Sequence, residues 1–237
     1  MIKKSLFIAC LAILAFSAGL KAQTNLQVFY DFGQDRNIVT TTLEGFHTDK
    51  WGNTFFFIDY DYTPRQDAPD GTYFEIARCL NFWQDSALGA LSLQIEYNGG
   101  VYSRYGINHA ALAGLDYFIH SKDFKNTLNL KVLYKWMANF TSQVPMQFTA
   151  VWGMDDLFGL EGLRFSGFAD FWWQDQRAIN EFSRVVFISE PQLWYNVGRH
   201  FGVPNFNIGG EVELSYNFGG AAKGFWARPC AGLKWIF

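Results

Sequence analysis

Acidic and aromatic side chains occur at every second position in several stretches of this sequence. Phe55, Phe57 and Asp59 show the pattern most clearly, and Glu44 and Phe46 show it shortly before them. An aromatic ring offers a flat surface for stacking, and a carboxylate accepts hydrogen bonds from hydroxyl groups. Together they predict weak, reversible binding of a small solute that carries a planar ring and hydroxyl groups.

Many other charged and aromatic residues fall on the same predicted face, because they also alternate with apolar neighbours. The acidic members are Glu44, Asp59, Asp61, Glu75, Glu96, Asp116, Asp170, Glu190, Glu211 and Glu213. The basic members are Lys131, Lys135, Arg164, Arg184, Arg228 and Lys234, and the aromatic members are Phe46, Phe55, Phe57, Tyr73, Phe168, Trp172 and Trp226. Ten carboxylates against six cations disfavour anions and tolerate neutral or cationic solutes.

From this face we predict that fifteen residues contact the solute. They are Glu44, Phe46, Phe55, Phe57, Asp59, Asp61, Glu75, Lys131, Lys135, Arg164, Asp170, Trp172, Glu211, Glu213 and Arg228. No pattern of a catalytic or metal site stands out beside them. The four histidines lack the spacing of metal ligands, and no serine has a neighbouring histidine in a pattern that predicts a nucleophile. We therefore predict no catalytic residue, no metal and no cofactor.

The elements that carry these side chains are predicted to be β-strands, because their apolar residues recur with a period of two. In 206–218, for example, Ile208, Val212 and Leu214 oppose Glu211 and Glu213. A mean hydropathy of -0.04 also excludes a bundle of apolar membrane helices. The predicted strands are 25–33, 38–49, 53–63, 72–83, 89–99, 107–120, 127–138, 145–154, 161–174, 183–197, 205–218 and 225–237.

Residues 1–22 have the pattern of a secretory signal peptide. Lys3 and Lys4 precede an apolar stretch that is too short to span a membrane, and Ala22 precedes the predicted cleavage site. Removal of this peptide leaves 16 basic residues against 22 acidic ones, a net charge of −6. That charge argues against a nucleic-acid-binding protein, which usually carries a basic patch. Residues 23–237 are then predicted to form one domain.

The apolar face of these strands could point inward, as in a soluble β-sandwich or lipocalin-like barrel, or outward towards lipid. Twelve long strands are many for a soluble domain of 215 residues, and charges stand inside the strands of the polar face. We therefore predict an all-β fold, a transmembrane antiparallel β-barrel of twelve strands that closes because lipid leaves no backbone group unpaired. Aromatic girdles are predicted at the two membrane surfaces. Their members are Tyr60, Tyr62, Tyr97, Tyr117, Trp136, Trp152, Trp173, Trp194, Tyr195, Tyr216 and Trp235.

The predicted location is the outer membrane of a Gram-negative-type bacterium, where the chain would lie in the lipid bilayer as a monomer. An even number of strands places both termini on the periplasmic side. The chain ends in Phe237, which resembles the terminal signal by which outer-membrane barrels are recognised. We expect Phe237 to contact the outer-membrane assembly machinery.

A family resemblance lies in the first part of the mature chain. Residues 25–33 read NLQVFYDFG, residues 42–52 read TLEGFHTDKWG and residues 55–62 read FFFIDYDY. This succession resembles the amino-terminal region of the Tsx-like, nucleoside-specific channel-forming outer-membrane proteins, and residues 74–78, FEIAR, resemble their next strand. The resemblance implies a twelve-stranded monomeric barrel whose narrow lumen passes nucleosides.

Three functions remain open for such a barrel. The first is a channel for small solutes, nucleosides among them. The second is a structural or interaction barrel, because opposing charges often fill a narrow lumen as a buried network. The third is a lipid-modifying outer-membrane enzyme, which would need a nucleophile and a positioned histidine at the rim. The sequence favours the channel.

Overall fold

The computed structural model describes residues 22–33, 36–63, 69–176, 181–219 and 223–237, without the side chains of Ala22, Gln176 and residues 181–183. The predicted signal peptide, 1–22, lies outside the described residues except for Ala22, where the first strand begins. The strands are β1 Ala22–Asp31, β2 Ile38–Asp49, β3 Gly52–Tyr62, β4 Gly71–Leu80, β5 Leu91–Tyr102, β6 Tyr105–His120, β7 Asn126–Met137, β8 Met146–Asp155, β9 Leu163–Gln176, β10 Glu181–Ser189, β11 Gln192–Tyr195, β12 Phe206–Tyr216 and β13 Phe225–Ile236.

Two short 3₁₀ helices, Leu157–Gly159 and Val197–Phe201, lie in loops between strands. Over the described part of the chain, no helix combines the length and the apolar character needed to cross a membrane.

The sheet closes into a barrel because the first and last strands pair. β1 runs antiparallel to β13, with Asn25 opposite Ile236 and Asp31 opposite Cys230. β10 and β11 each pair with both β9 and β12, so these two segments share one position in the sheet. The thirteen segments therefore form a barrel of twelve strand positions, as the sequence predicted.

The predicted strand 183–197 is interrupted at Glu190 and Pro191. Proline has no N–H group and cannot donate to the ladder. The Glu190 N–H still donates to the Phe168 carbonyl oxygen (3.1 Å), and the Val212 N–H donates to the Pro191 carbonyl oxygen (3.1 Å). The neighbouring strand accommodates the irregularity with Gly167, where a Cβ would lie 2.5 Å from the Glu190 carbonyl oxygen. The break therefore interrupts one strand without opening the barrel.

The outward face of the barrel is apolar. On β7, Leu130 is 46% exposed, Val132 44% and Trp136 52%, whereas Leu133 on the inward face is fully buried. Contiguous exposed apolar rows on a closed barrel suit hydrocarbon better than water. The physical argument for a lipid-facing exterior therefore holds in the folded chain.

The start of β1 and the end of β13 lie at one end of the barrel, called here the terminal end. The loops at this end are 50–51, 81–90, 121–125, 156–162 and 196–205. The described connecting residues at the opposite end are 32–33, 36–37, 63, 69–70, 103–104, 138–145, 217–219 and 223–224.

Candidate functional site in the barrel lumen

Strand register places all fifteen predicted contact residues on the inward face. Glu44 lies opposite Phe57, and Phe57 lies opposite Glu75 on the next strand. On the other side of the barrel, Asp170 lies opposite Thr149. These residues therefore share one lumen, and their contact with a solute stays a prediction.

The two largest groups of buried inward side chains lie on opposite sides of the barrel, and smaller groups lie on β4 and on β7 to β11. One side consists of β5 and β6, with Gln94, Glu96, Asn98, Ala110, Leu112 and Asp116. The other consists of β12, β13 and β1, with Asn207, Glu213, Ser215, Arg228, Lys234, Asn25, Gln27, Phe29 and Asp31. Side chains fill the interior on these two sides.

Between these two sides, partly exposed inward side chains form two walls, although Leu133, Gln147 and Trp172 on the same strands are buried. The acidic wall comprises Thr40, Thr42, Glu44 and Phe46 of β2, Phe55, Phe57, Asp59 and Asp61 of β3, and Tyr73 and Glu75 of β4. The facing wall comprises Lys131 and Lys135 of β7, Thr149 and Val151 of β8, and Arg164, Phe168 and Asp170 of β9. Asp170 acts electrostatically on Glu75, so the walls approach each other across the lumen.

Most carboxylates of the acidic wall accept hydrogen bonds from uncharged side chains. These contacts are Thr42 Oγ1 to Asp59 (2.6 Å), Thr40 Oγ1 to Asp61 (2.6 Å) and Asn25 Nδ2 to Glu44 (2.9 Å). Glu75 differs, because it makes no hydrogen bond or ion pair within the described residues. Its carboxylate is therefore available to a solute.

Aromatic rings lie next to one another along the same wall, with their planes tilted by 49° and 48°. The ring centroids of Phe55 and Phe57 lie 6.0 Å apart, and those of Phe57 and Tyr73 lie 5.7 Å apart. Register places Phe57 opposite Glu75 and Tyr73 opposite Asp59. Each of these two cross-strand pairs therefore combines a ring with a carboxylate.

The facing wall carries the cations, and most of them are engaged. Lys135 Nζ donates to Gln147 Oε1 (2.6 Å) and lies 3.8 Å from the centre of the Trp172 ring. Arg164 forms an ion pair with Asp155. Lys131 makes no hydrogen bond or ion pair within the described residues.

A charged network closes part of the lumen at the opposite end. Arg36, from the loop between β1 and β2, reaches Asp31 (3.3 Å) and Glu213 (2.8 Å). Arg228 pairs with the same Glu213 at 2.5 Å. Burial disfavours the charged guanidinium of Arg36, but the negative charges of Glu213 and Asp31 outweigh it and raise the Arg36 pKa.

Sequence reasoning missed two members of this network. Asp31 lies an even number of residues from Gln27 and Asn25 on β1, so the alternation along this strand could have identified Asp31 as an inward residue. Arg36 lies in a loop, where no periodicity indicates a direction. Only the folded chain shows that this arginine points inward.

The prediction that Trp194 belongs to an outward girdle is wrong. Its side chain is 2% exposed and points into the lumen, where its Nε1 donates to Gln192 Oε1 at 2.8 Å. Two glycines leave room for the indole. A Cβ at Gly209 would lie 2.7 Å from Trp194 Cε3, and one at Gly232 would lie 3.0 Å from its Cη2.

Comparisons with known proteins agree with this architecture. A family model described as "Domain of unknown function (DUF5020)" matches residues 22–237, and no curated protein matches the chain. The solved NanC porin is similar at a TM-score of 0.57 and 10% identity, over 90% of this chain and 98% of that one. The KdgM porin is similar at a TM-score of 0.50 and 9% identity, over 91% and 99%. At these identities the likeness establishes the fold alone.

Proposed function

The chain belongs to the DUF5020 family, a domain of unknown function, so we propose its function from the lumen: it is an outer-membrane channel for small solutes. One observation carries the proposal. The acidic wall keeps Phe55, Phe57 and Asp59 accessible from the lumen, although side chains fill the barrel on two other sides. A conduit needs a surface that a solute can touch and leave again.

Nucleosides are the solutes that this wall suits best among neutral molecules. The base could stack on Phe57, and the ribose hydroxyls could donate to Asp59 and Glu44. The resemblance of residues 25–62 to the nucleoside-specific channels supports the same solute. An excess of carboxylates in the lumen favours a nucleoside over an anionic nucleotide.

Single-channel recording in a planar bilayer tests this function. We expect ion current through the barrel and partial block of that current by nucleosides. Stacking on an aromatic residue is worth about 1–3 kcal/mol per base in nucleic-acid complexes, and about 1.4 kcal/mol changes affinity tenfold. Phe57→Ala should therefore weaken the block severalfold.

Phe56→Ala is the matched control, because Phe56 is an adjacent phenylalanine that points outward. It should leave nucleoside block unchanged. If ions pass while nucleosides never alter the current, the solute is wrong and the channel stands. If Phe56→Ala weakens the block and Phe57→Ala does not, the face assigned to β3 is wrong.

A plugged structural barrel is the second candidate, and the Arg36 network favours it. The ion pairs of this network link the loop residue Arg36 to three adjacent strands, β1, β13 and β12, at the opposite end of the lumen. A plugged barrel would give a silent bilayer, and Arg36→Ala would then be expected to open it. A conducting wild-type barrel excludes this candidate.

A further inference from the structure

We propose that the acidic wall contains a binding site for an organic cation, formed by Phe57, Asp59, Tyr73 and Glu75. The inference rests on the proposed channel function and names a class of solute that the same lumen takes. These four residues are called here the cation patch. Its ligand is a small ammonium compound with a weakly hydrated, apolar surface.

The geometry of the patch supplies both interactions that such a cation needs. The two rings lie on one diagonal, with centroids 5.7 Å apart and planes inclined at 48°. The two carboxylates lie on the other diagonal, because Phe57 is opposite Glu75 and Asp59 is opposite Tyr73. A cation within about 6 Å of a ring centroid is attracted to the ring face, and here it would also meet a carboxylate.

The acidic wall has no inward cation of its own among the described residues, and the positive charges that act on Glu75, those of Lys131 and Lys135, lie on the facing wall. On the described strands β2 to β4 the inward face carries no lysine or arginine, since Arg78 points outward and pairs with Asp49 at 2.8 Å. The charged groups that act most strongly on Asp59 are two further carboxylates, Asp61 and Glu44. A bound cation would neutralise this excess.

Elsewhere in the lumen, basic side chains of the protein itself make cation–π contacts with aromatic rings. Each inward tryptophan of the described strands has a basic side chain near its ring. The pairs are Lys135 on Trp172 (3.8 Å), Lys234 on Trp194 (4.4 Å) and Arg228 on Trp226 (5.0 Å). Phe57 and Tyr73 have carboxylates beside them, and no basic side chain of the described residues lies over either ring. We infer that a solute supplies the cation.

The patch can also be reached and left. Phe57, Asp59, Tyr73 and Glu75 are all partly exposed to the lumen, whereas Trp172 and Trp194 are buried. Glu75 has no hydrogen-bonding partner in the described residues that a cation would have to displace. Reversible binding follows from this accessibility.

Choline and 3,3-dimethylbutan-1-ol provide a direct test, because they have nearly the same shape and differ in charge. Binding is measured by isothermal titration calorimetry on the folded barrel in detergent. We expect choline to bind and the neutral alcohol to bind at least about tenfold more weakly. Equal binding of the two compounds would overturn the proposal.

Variants then locate the site. Glu75→Gln should weaken choline binding about tenfold. Asp116→Asn removes the same charge elsewhere in the lumen, where Asp116 accepts a hydrogen bond from Asn129 at 2.8 Å, and it should change binding less than about twofold. An equal loss of choline affinity in both variants would show that the overall negative charge of the lumen, and not a local site, attracts choline.

Gel migration before and after heating verifies that each variant is folded. If Glu75→Gln does not fold, Phe57→Leu is used in its place. Conductance is recorded from the same preparations. A barrel that binds choline and passes no current refutes the channel but leaves the cation patch. A barrel that conducts and does not bind choline refutes the patch alone.

Discussion

Two arginines share one carboxylate at the opposite end of the lumen, and they differ in burial. The side chains of Arg228 and Glu213 are 8% and 7% exposed, whereas that of Arg36 is 33% exposed. Removing one partner of a buried ion pair costs about 3–5 kcal/mol, because the other charge stays buried and uncompensated. A partly exposed pair is worth about 1 kcal/mol or less.

We expect Arg228→Met to lower the free energy of unfolding by about 3 kcal/mol, the lower end of that range because Arg36 and Ser215 still contact Glu213. Arg36→Met should cost about 1 kcal/mol or less, because Arg36 is partly exposed and because Glu213 keeps Arg228 and Asp31 keeps the Gly33 N–H as a partner. Methionine keeps most of the side-chain volume, so the comparison isolates the charge.

Urea-induced unfolding in lipid vesicles, followed by tryptophan fluorescence, measures both changes. With a slope of about 3 kcal/mol per molar urea, Arg228→Met should lower the midpoint by about 1 M and Arg36→Met by about 0.3 M or less. The double variant Arg228→Met, Glu213→Leu should recover most of the loss, because no uncompensated charge remains. Equal shifts for the two arginines, or no recovery in the double variant, would refute this reasoning.

Three further outcomes test the barrel itself. The folded protein should migrate differently on a gel before and after heating, and its circular dichroism should show little helix; a strongly helical spectrum would contradict the fold. Phe237→Asp should sharply reduce the folded yield in outer membranes, since Phe237 ends an exposed row with Trp235 and Leu233; a normal yield would mean that the terminal aromatic is incidental. Leu130→Arg should destabilise the barrel in lipid by about 2–4 kcal/mol if this outward position is near the bilayer midplane, and a neutral effect there would count against a lipid-facing exterior.

The strands, their number and most of their inward and outward faces follow from the amino-acid pattern alone. The alternation in 206–218 comes from backbone geometry, because successive side chains of an extended chain point to opposite sides. The alternation along each strand therefore predicts that Phe57, Asp59 and Glu75 point into the lumen, and this prediction does not require the strand pairing. Trp194 is the exception, because two signals conflict there. Alternation places it on the same inward face as Glu190, but an aromatic residue near a strand end also predicts an outward girdle.

Which inward residues contact one another, and which remain partly exposed, depends on the folded barrel. Glu213 finds Arg228 on its neighbouring strand and Arg36 on a distant loop, a pairing that depends on closure of the barrel. The space for Trp194 depends on Gly209 and Gly232 lying beneath it on other strands. Periodicity carries no such information, because it fixes the direction of a side chain relative to its own strand, whereas contacts across a lumen depend on register, closure and loop conformation together.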